Sequence, residues 1–536
     1  MLKMEGLMSE IKTKIKLEKI KIQNYASIGE EGVEISFPKD KPVILFGPNN
    51  AGKTNILSGI QSFWDIYGRQ SKLPERPSGE NDSEIANAAQ ISNELTADTK
   101  ITLYYKDPEH HEDKMAELEY DPRQKKFVNR HPDMNVNILI SSTFIGTDYG
   151  NALSKLRNIL KSGATLTPLG KRILSYLDRI RHFEGTNAVS SEKLLLPGKG
   201  ELAFWGLVTK ILSSDELLND NEVNDALLLL DEPETHLHFV AQEGFMEIIN
   251  DLCKEEDIQA IIATHSENFL CADDIEGFVR VYKENGITKV RQLTNDELFY
   301  TCHIRGEEDY KALPVGQHYW SVKLNTDQLK GFFADTILLV EGQTEYYALP
   351  IYLSRTFLSE YGVQIVACGS KSAIQTYWRL FTAYGYKCFV LYDHDTDEDK
   401  ERAKDGKSDL NKELELFFDG RPQSGNGYSF CPTAAYFKKY WEDYFKNDLG
   451  SEYKGIKKDL EENYEISFAK DREKASRAKA IALQSKEIGH RDIPFVNDLK
   501  RQLEELDNMS QEDYAKYVET VKEKLREIKN SQSKDR

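Results

Sequence analysis

The apolar positions of the chain fall into short blocks of two kinds. From Ile15 to Phe37 apolar and polar residues alternate: Ile15 and Leu17, Ile20 and Ile22, then Val33, Ile35 and Phe37. A period of two predicts half-buried strands, here a pair around a turn at Gly29 to Gly32. The alternation slips by one residue between Leu17 and Ile20, which places a bulge there. The second kind of block is continuously apolar. Val43 to Phe46, Ala226 to Leu230 and Gln259 to Thr264 are of this kind, and such runs predict strands buried on both faces of a parallel sheet. A helix from about Lys53 to Tyr67 follows the first run, and another helix separates the other two. Ile101 to Tyr105 and Val136 to Ser141 are also strand-like, residues 71–100 read as a polar loop or insertion, and 151–182 read as two helices broken near Gly163 to Pro168.

The pattern restarts near residues 320–330. Thr336 to Val340, Val363 to Ala367 and Cys388 to Tyr392 read as strands, with helices at Thr344 to Phe357 and Ser372 to Ala383 between them. Beyond about residue 400 the chain is charged and reads as mostly helical, ending in a Glu/Lys-rich helix pair from Asn497 to Lys529. Strand–helix–strand text in two separate stretches predicts an α/β chain with two parallel-sheet units and a helical C-terminal region.

Composition narrows the class. With 40% apolar and 10% aromatic residues among 536, the chain has material for real cores, which excludes a wholly disordered protein. No run approaches the ~18 apolar residues of a membrane span, and no continuous apolar stretch near the N-terminus marks a secretory signal. The six cysteines are scattered without a Cys-x-x-Cys pair, so they read as reduced thiols and not as a disulfide frame or zinc site. The expected setting is the cytoplasm, with no membrane partner. Lys and Arg number 70 against 89 Asp and Glu, a net charge of −19, so any polyanion must meet a local basic patch or metal-bridged carboxylates. Lys155, Arg157, Lys161, Lys171, Arg172, Arg179 and Arg181 form one basic island, opposed by Asp178 alone. It reads either as a solvated helical face or as a DNA-facing or dimer-forming arm.

The first candidate chemistry follows Val43 to Phe46. Gly47, Pro48, Asn49, Asn50, Ala51, Gly52, Lys53 and Thr54 satisfy G-x-x-x-x-G-K-[ST] between a buried strand and a helix. The glycines let backbone N–H groups wrap phosphate oxygens, Lys53 meets the β/γ-phosphates and the Thr54 hydroxyl binds Mg²⁺. The next residue, Asn55, belongs to the same nucleotide-binding set. At the end of the Ala226 to Leu230 run come Asp231 and Glu232. Asp231 is suited to the Mg²⁺ shell and Glu232 to orienting and deprotonating the attacking water. His265, at the end of the third run, is placed to reach the γ-phosphate. Together these residues resemble the ABC-type ATPases of the RecF/SMC branch, whose opening strand the text from Leu17 to Tyr25 also resembles. That resemblance implies a degenerate signature motif at Pro197 to Glu201, with Gly198, Gly200 and Glu201 completing the ATP site of a second subunit, and hence a homodimer or higher assembly. A long coiled coil, the mark of a true SMC protein, is missing.

The second candidate chemistry lies on the later unit. Thr336 to Val340 runs into Glu341 and, four residues on, Glu345; Cys388 to Tyr392 runs into Asp393 and Asp395. Acids at the ends of parallel strands share one rim, and oxygen-only ligands favour Mg²⁺ or Mn²⁺, which can activate water against a phosphodiester. A calcium loop starting at Asp393 fails at Glu398, where Gly is needed, and at Lys404, where Glu is needed. A solvated acidic turn is the other structural alternative. The pattern resembles the Toprim domain.

An ABC-type ATPase followed directly by Toprim is similar to the OLD family (overcoming lysogenisation defect) of ATP-dependent nucleases, over roughly residues 15–485. That resemblance implies an ABC-type ATPase domain at 1–150 and 190–325, and a dimerising or DNA-contacting helical insert at 151–189. It further implies a Toprim nuclease domain at 331–485 and a helical region at 486–536. It makes Glu341, Glu345, Asp393 and Asp395 metal ligands, with Glu442 serving a second metal, although Tyr440 departs from the small or acidic residue some members carry. It offers Lys474, or alternatively Lys479, as the lysine stabilising transition-state charge. ATP and Mg²⁺ (or Mn²⁺ at the Toprim site) are the implied cofactors. DNA is the implied substrate and anti-phage defence the implied role. The implied co-encoded partner is a helicase-like protein, or a reverse transcriptase with its retron msDNA. Competing readings are an ATP-gated DNA clamp or repair protein of the RecF/SMC type, an RNA-directed nuclease, and a topoisomerase-like enzyme, for which no tyrosine stands out.

Overall fold

The computed structural model describes residues 16–71, 98–106, 113–121, 126–129, 139–143, 226–235, 239–255, 258–302, 315–394, 410–418, 422–464, 466, 468, 474–487 and 493–534. The basic island, the insert at 151–189 and the signature candidate at Gly198, Gly200 and Glu201 lie outside these residues, as does Asp395. The chain divides into two compact units, 1–292 and 293–536.

In the first unit, strands β1 (Lys16–Gln23), β2 (Val33–Ser36), β3 (Val43–Phe46), β4 (Lys100–Lys106), β5 (Asp113–Asp121), β6 (Lys126–Asn129), β7 (Leu139–Thr143), β8 (Ala226–Asp231), β9 (Gln259–Thr264), β10 (Phe278–Glu284) and β11 (Ile287–Gln292) form two sheets. One is antiparallel, in the order β2-β1-β4-β5-β6, and the other runs β11-β10-β3-β9-β8-β7 and is parallel except for the β10–β11 hairpin. The predicted bulge is there, as a register shift between Leu17 and Lys19 against β4. Helix α1 (Lys53–Ser71) buries Ile56, Leu57, Ile60 and Phe63 at helical spacing, and these join residues of both sheets in one core. Helix α2 (Phe239–Glu255) connects β8 to β9.

A buried acid is bonded to α2. Asp274, 3% exposed, accepts a hydrogen bond from Asn250 Nδ2 at 2.9 Å, and burial raises its carboxyl to about 6. The folded chain therefore holds this proton more tightly than the unfolded one. Stability falls as pH rises from about 4 through 6, and the full cost is present above that. Asp274→Asn keeps an acceptor for Asn250 and removes the charge. We expect its melting temperature to exceed wild type at pH 8, by an amount corresponding to about 1–3 kcal/mol, and to match it near pH 4.

In the second unit, α3 (Asn295–Cys302) and α4 (Val315–Lys323) precede strand β12 (Thr336–Val340). Then follow α5 (Gln343–Leu353), β13 (Val363–Ala367), α6 (Lys371–Ala383), β14 (Lys387–Asp393), β15 (Gln423–Ser424), β16 (Tyr428–Cys431), β17 (Ala434–Phe437), α7 (Trp441–Leu449), α8 (Ser451–Asn463), α9 (Lys474–Glu487), α10 (Pro494–Asn508) and α11 (Gln511–Lys534). The sheet order is β13-β12-β14-β17-β16-β15, with the first four strands parallel. The chain leaves β12 for β13 on one side and returns to β14 on the other, so a topological switch point lies between β12 and β14.

The compact unit starts at Leu293, ahead of the domain expected at 331–485. The buried Trp320 donates its indole N–H to Thr301 Oγ1 at 2.9 Å, and Arg379 of α6 donates to the Thr301 carbonyl at 3.2 Å, which ties α3 and α4 to this unit. The stretch beyond 400 is not simply helical, because β15 to β17 complete the sheet. The expected helix at 344–357 breaks at Ser354, whose φ is +74° and whose hydroxyl caps the next turn by accepting from Phe357 N. The end of the chain belongs to the same body. β14 begins three residues ahead of its pairing with β17, and there the buried Tyr514 hydroxyl accepts from Cys388 N at 2.7 Å and sits 3.3 Å from Cys388 O. All six cysteines are free. Among the described residues no helix is long and apolar enough to cross a membrane.

Candidate nucleotide and carboxylate sites

The phosphate loop leaves β3 at Gly47. Its φ is +146°, and a Cβ there would lie 2.0 Å from the Val281 carbonyl oxygen, so only glycine fits. The loop is braced from behind. Thr288 Oγ1 donates to Ala51 O at 2.9 Å and lies 2.6 Å from Ser27 Oγ, which accepts from Asn55 Nδ2 at 2.7 Å. Asn55, expected to touch nucleotide, thus turns its amide onto the brace. Pro48, Asn49 and Asn50 are exposed at the crest.

Lys53, 5% exposed, donates to Gly47 O at 2.9 Å and Pro48 O at 3.1 Å, which holds the ammonium inside the loop. Burial lowers it to about 8, opposed by Glu232, Asp231 and Glu234. Thr54 Oγ1 donates to Asp231 Oδ2 at 3.0 Å, joining the two expected Mg²⁺ ligands, while Asp231 Oδ1 is buried without a partner. A buried carboxylate oxygen left open beside a threonine hydroxyl fits a nucleotide-bound hard cation. Burial raises the Asp231 carboxyl.

His265 lies between Lys53 and Glu232. Its Nδ1 is 3.4 Å from Lys53 Nζ and its Nε2 is 3.1 Å from Glu232 Oε1. Both contacts are satisfied at once by a neutral ring carrying its proton on Nε2. Burial first, and Lys53 second, lower the His265 pKa, which favours that neutral form. Glu232 itself holds a left-handed φ of +47°, a conformation costing a non-glycine residue roughly 1 kcal/mol.

The sequence reading missed Glu234. Its Oε1 accepts from both Thr264 Oγ1 and His265 N, each at 2.7 Å, so it fixes the β9 end that presents His265. Glu234→Ala leaves those two donors without their acceptor. We expect ATP turnover to drop about tenfold or more with nucleotide binding kept, measured by phosphate release and nucleotide titration.

In the second unit, Glu341 follows β12 and Asp393 ends β14, the neighbouring parallel strand in register. Glu341 Oε2 accepts from Asp393 N at 3.5 Å, so the two distant acids meet at the switch point. Asp393 Oδ1 also accepts from Trp441 N at 3.0 Å, at the start of α7. Glu442 is the next residue. Glu345, 5% exposed in the first turn of α5, accepts from Gly342 N at 3.2 Å. Burial raises Glu345 to about 7, with Glu341 and Glu442 adding to it; burial, then Glu345, Glu341 and Glu442 raise Asp393 well above the usual carboxylate range. Neighbouring carboxylates raise both Glu345 and Asp393, and all four acids carry only oxygen donors, the type a hard divalent cation takes. Among the described residues no three acidic, histidine or cysteine side chains are drawn close enough to enclose an ion.

Lys474, the first residue of α9, is exposed and lines a cavity with Glu442. Lys479 lies elsewhere on that helix, its ammonium 5.5 Å from the Tyr347 ring. The exposed Tyr440 stands just before α7.

Comparison with known proteins agrees with this division. Residues 332–395 match the family model "Overcoming lysogenization defect protein-like, TOPRIM domain". Residues 19–182 match an AAA domain, and 147–272 match "AAA domain, putative AbiEii toxin, Type IV TA system". The chain is 26% identical over 235 residues to Endonuclease GajA of Bacillus cereus, covering 40% of this chain and 33% of that protein. It is 25% identical over 180 residues to the OLD nuclease of Thermus scotoductus, covering 33% and 32%. The chain thus spans about a third of the length of these curated relatives. An SMC head domain from Thermotoga maritima aligns with a TM-score of 0.33 at 17% identity, over 52% of this chain and 99% of that one.

Proposed function

We propose that this chain, which resembles the OLD-family ATPase–Toprim nucleases, is an ATP-regulated endonuclease that hydrolyses phosphodiester bonds of DNA at the Glu341–Asp393 rim. The observation that carries the reading is the meeting of Glu341 and Asp393 at the switch point, with Glu345 and Glu442 within electrostatic reach. Mg²⁺ or Mn²⁺ held there supplies a Lewis acid for the scissile phosphate and lowers the pKa of a bound water. The chain's own part is to place the ligands. β12 and β14 deliver Glu341 and Asp393, the α7 N-terminus fixes Asp393 through Trp441 N, and Lys474 supplies a cation near Glu442. No covalent enzyme–DNA link is needed.

In the first unit, Lys53 and the loop amides hold the ATP phosphates and Thr54 with Asp231 holds the nucleotide's Mg²⁺. Glu232 orients water, and His265 bridges Glu232 to the phosphate-binding lysine. ATP state controls access to the nuclease site and does not power each cut. A homodimer or larger assembly acting in the cytoplasm against phage, beside a co-encoded partner, is the biological setting that the family resemblance supports.

The test is conversion of supercoiled plasmid to nicked or linear forms in Mg²⁺ or Mn²⁺, and its loss with chelator. Plasmid that stays supercoiled while the chain binds ATP and DNA leaves the rival reading, an ATP-gated clamp.

A further inference from the structure

Behind Glu442 lies a cavity of about 160 Å³ within the second unit. Its walls are largely aromatic. Phe445 stacks on Tyr352 with centroids 4.6 Å apart and planes at 21°, and Tyr453 and Phe468 meet edge to face at 6.5 Å. Its charged lining is Lys474, Arg477 and Glu442. The Arg477 guanidinium lies 5.6 Å from the Phe468 ring centroid. Two cations against one acid give this spot a positive balance in a chain of net charge −19.

Size and neighbourhood set what fits. A dry cavity of ~150 Å³ accommodates one benzene ring, so this one holds a single planar ring system. Stacked rings backed by lysine and arginine are how proteins hold unpaired bases without reading their sequence. The cavity borders the carboxylate rim, because Glu442 and Trp441, whose backbone N–H holds Asp393, both line it.

We propose that this cavity receives one unpaired nucleobase of the strand being cut, with Lys474 and Arg477 on its phosphates, so that the substrate is single-stranded or locally opened at the scissile position. The inference deepens the nuclease reading and rests on it for the identity of the strand. A base seated here fixes the neighbouring phosphate at the rim, and a fully paired duplex must first release that base.

Two measurements test it on the full chain. Single-stranded oligonucleotides carrying 5-iodouracil at each position in turn are irradiated with the protein in calcium, and the adducts are mapped. Adducts on Tyr453 or Phe468 from one position are expected; adducts confined to other parts of the chain, or none at any position, overturn the proposal. Separately, a strand with an abasic nucleotide beside the cut should be cleaved about tenfold slower than the intact strand. The Tyr453→Leu/Phe468→Leu chain, which keeps apolar packing and loses the rings, should cut both alike. Equal rates on both strands in wild type overturn the cavity's role while leaving the nuclease reading intact. A wild type that cuts nothing overturns the nuclease reading, and the adduct map still decides whether a base enters the cavity.

Discussion

An Asp393→Ala chain loses at least about a thousandfold in metal-dependent DNA cleavage and keeps its fold and its ATP binding. The reason is position. Asp393 closes the central strand of the second sheet, receives the α7 backbone at Trp441, and faces Glu341, Glu345 and Glu442. Removing it opens the oxygen donor set at the point where the strands converge. Stability should not suffer in proportion, because a carboxyl raised by burial and by its acidic neighbours is gone. Asp393→Asn separates the two contributions: it retains an acceptor for Trp441 N and loses the charge, so it should fold like wild type and cut like the alanine variant. Plasmid conversion over time, with melting curves for all three chains, gives the answer. Near-wild-type cutting by Asp393→Asn would place the chemistry elsewhere.

Lys53→Ala has the second large effect. The ammonium is the buried cation that bonds two loop carbonyls and contacts His265. Without it the loop loses its charge complement for phosphate and the His265 ring loses a neighbour. ATP hydrolysis should fall at least about a hundredfold, and cleavage should stop responding to added ATP. The informative comparison is the cutting rate with and without nucleotide in both chains. An identical ATP response in wild type and variant would remove the regulatory link while leaving each site's own chemistry standing.

Much of this arrangement was legible because its chemistry is local in sequence. Gly47 to Thr54, Asp231 with Glu232, and His265 each follow a buried strand, and adjacency in a parallel sheet brings strand ends together. The same logic joined Glu341 to Asp393 across 52 residues. What stayed hidden depends on the folded neighbour. Glu234 looks like one more acid after Asp231 and Glu232 until Thr264 and His265 fold onto it. Strands β16 and β17 are four residues each, too short for a period of two to stand out in charged surroundings. That α3 and α4 pack with the second unit was not legible, because Trp320 and Thr301 reveal their pairing only once those helices have packed. Asn55, inside the binding motif, also serves the scaffold behind it through its side-chain amide.

Tyr514 stands far along the chain from the acids, yet its phenol takes the place of a missing rung on the strand that ends in Asp393. Clipping the molecule before that tyrosine would therefore be no cosmetic trimming. It would strip an amide and a carbonyl of their shared companion five residues upstream of Asp393, and an engineer seeking a shorter version should stop short of that ring.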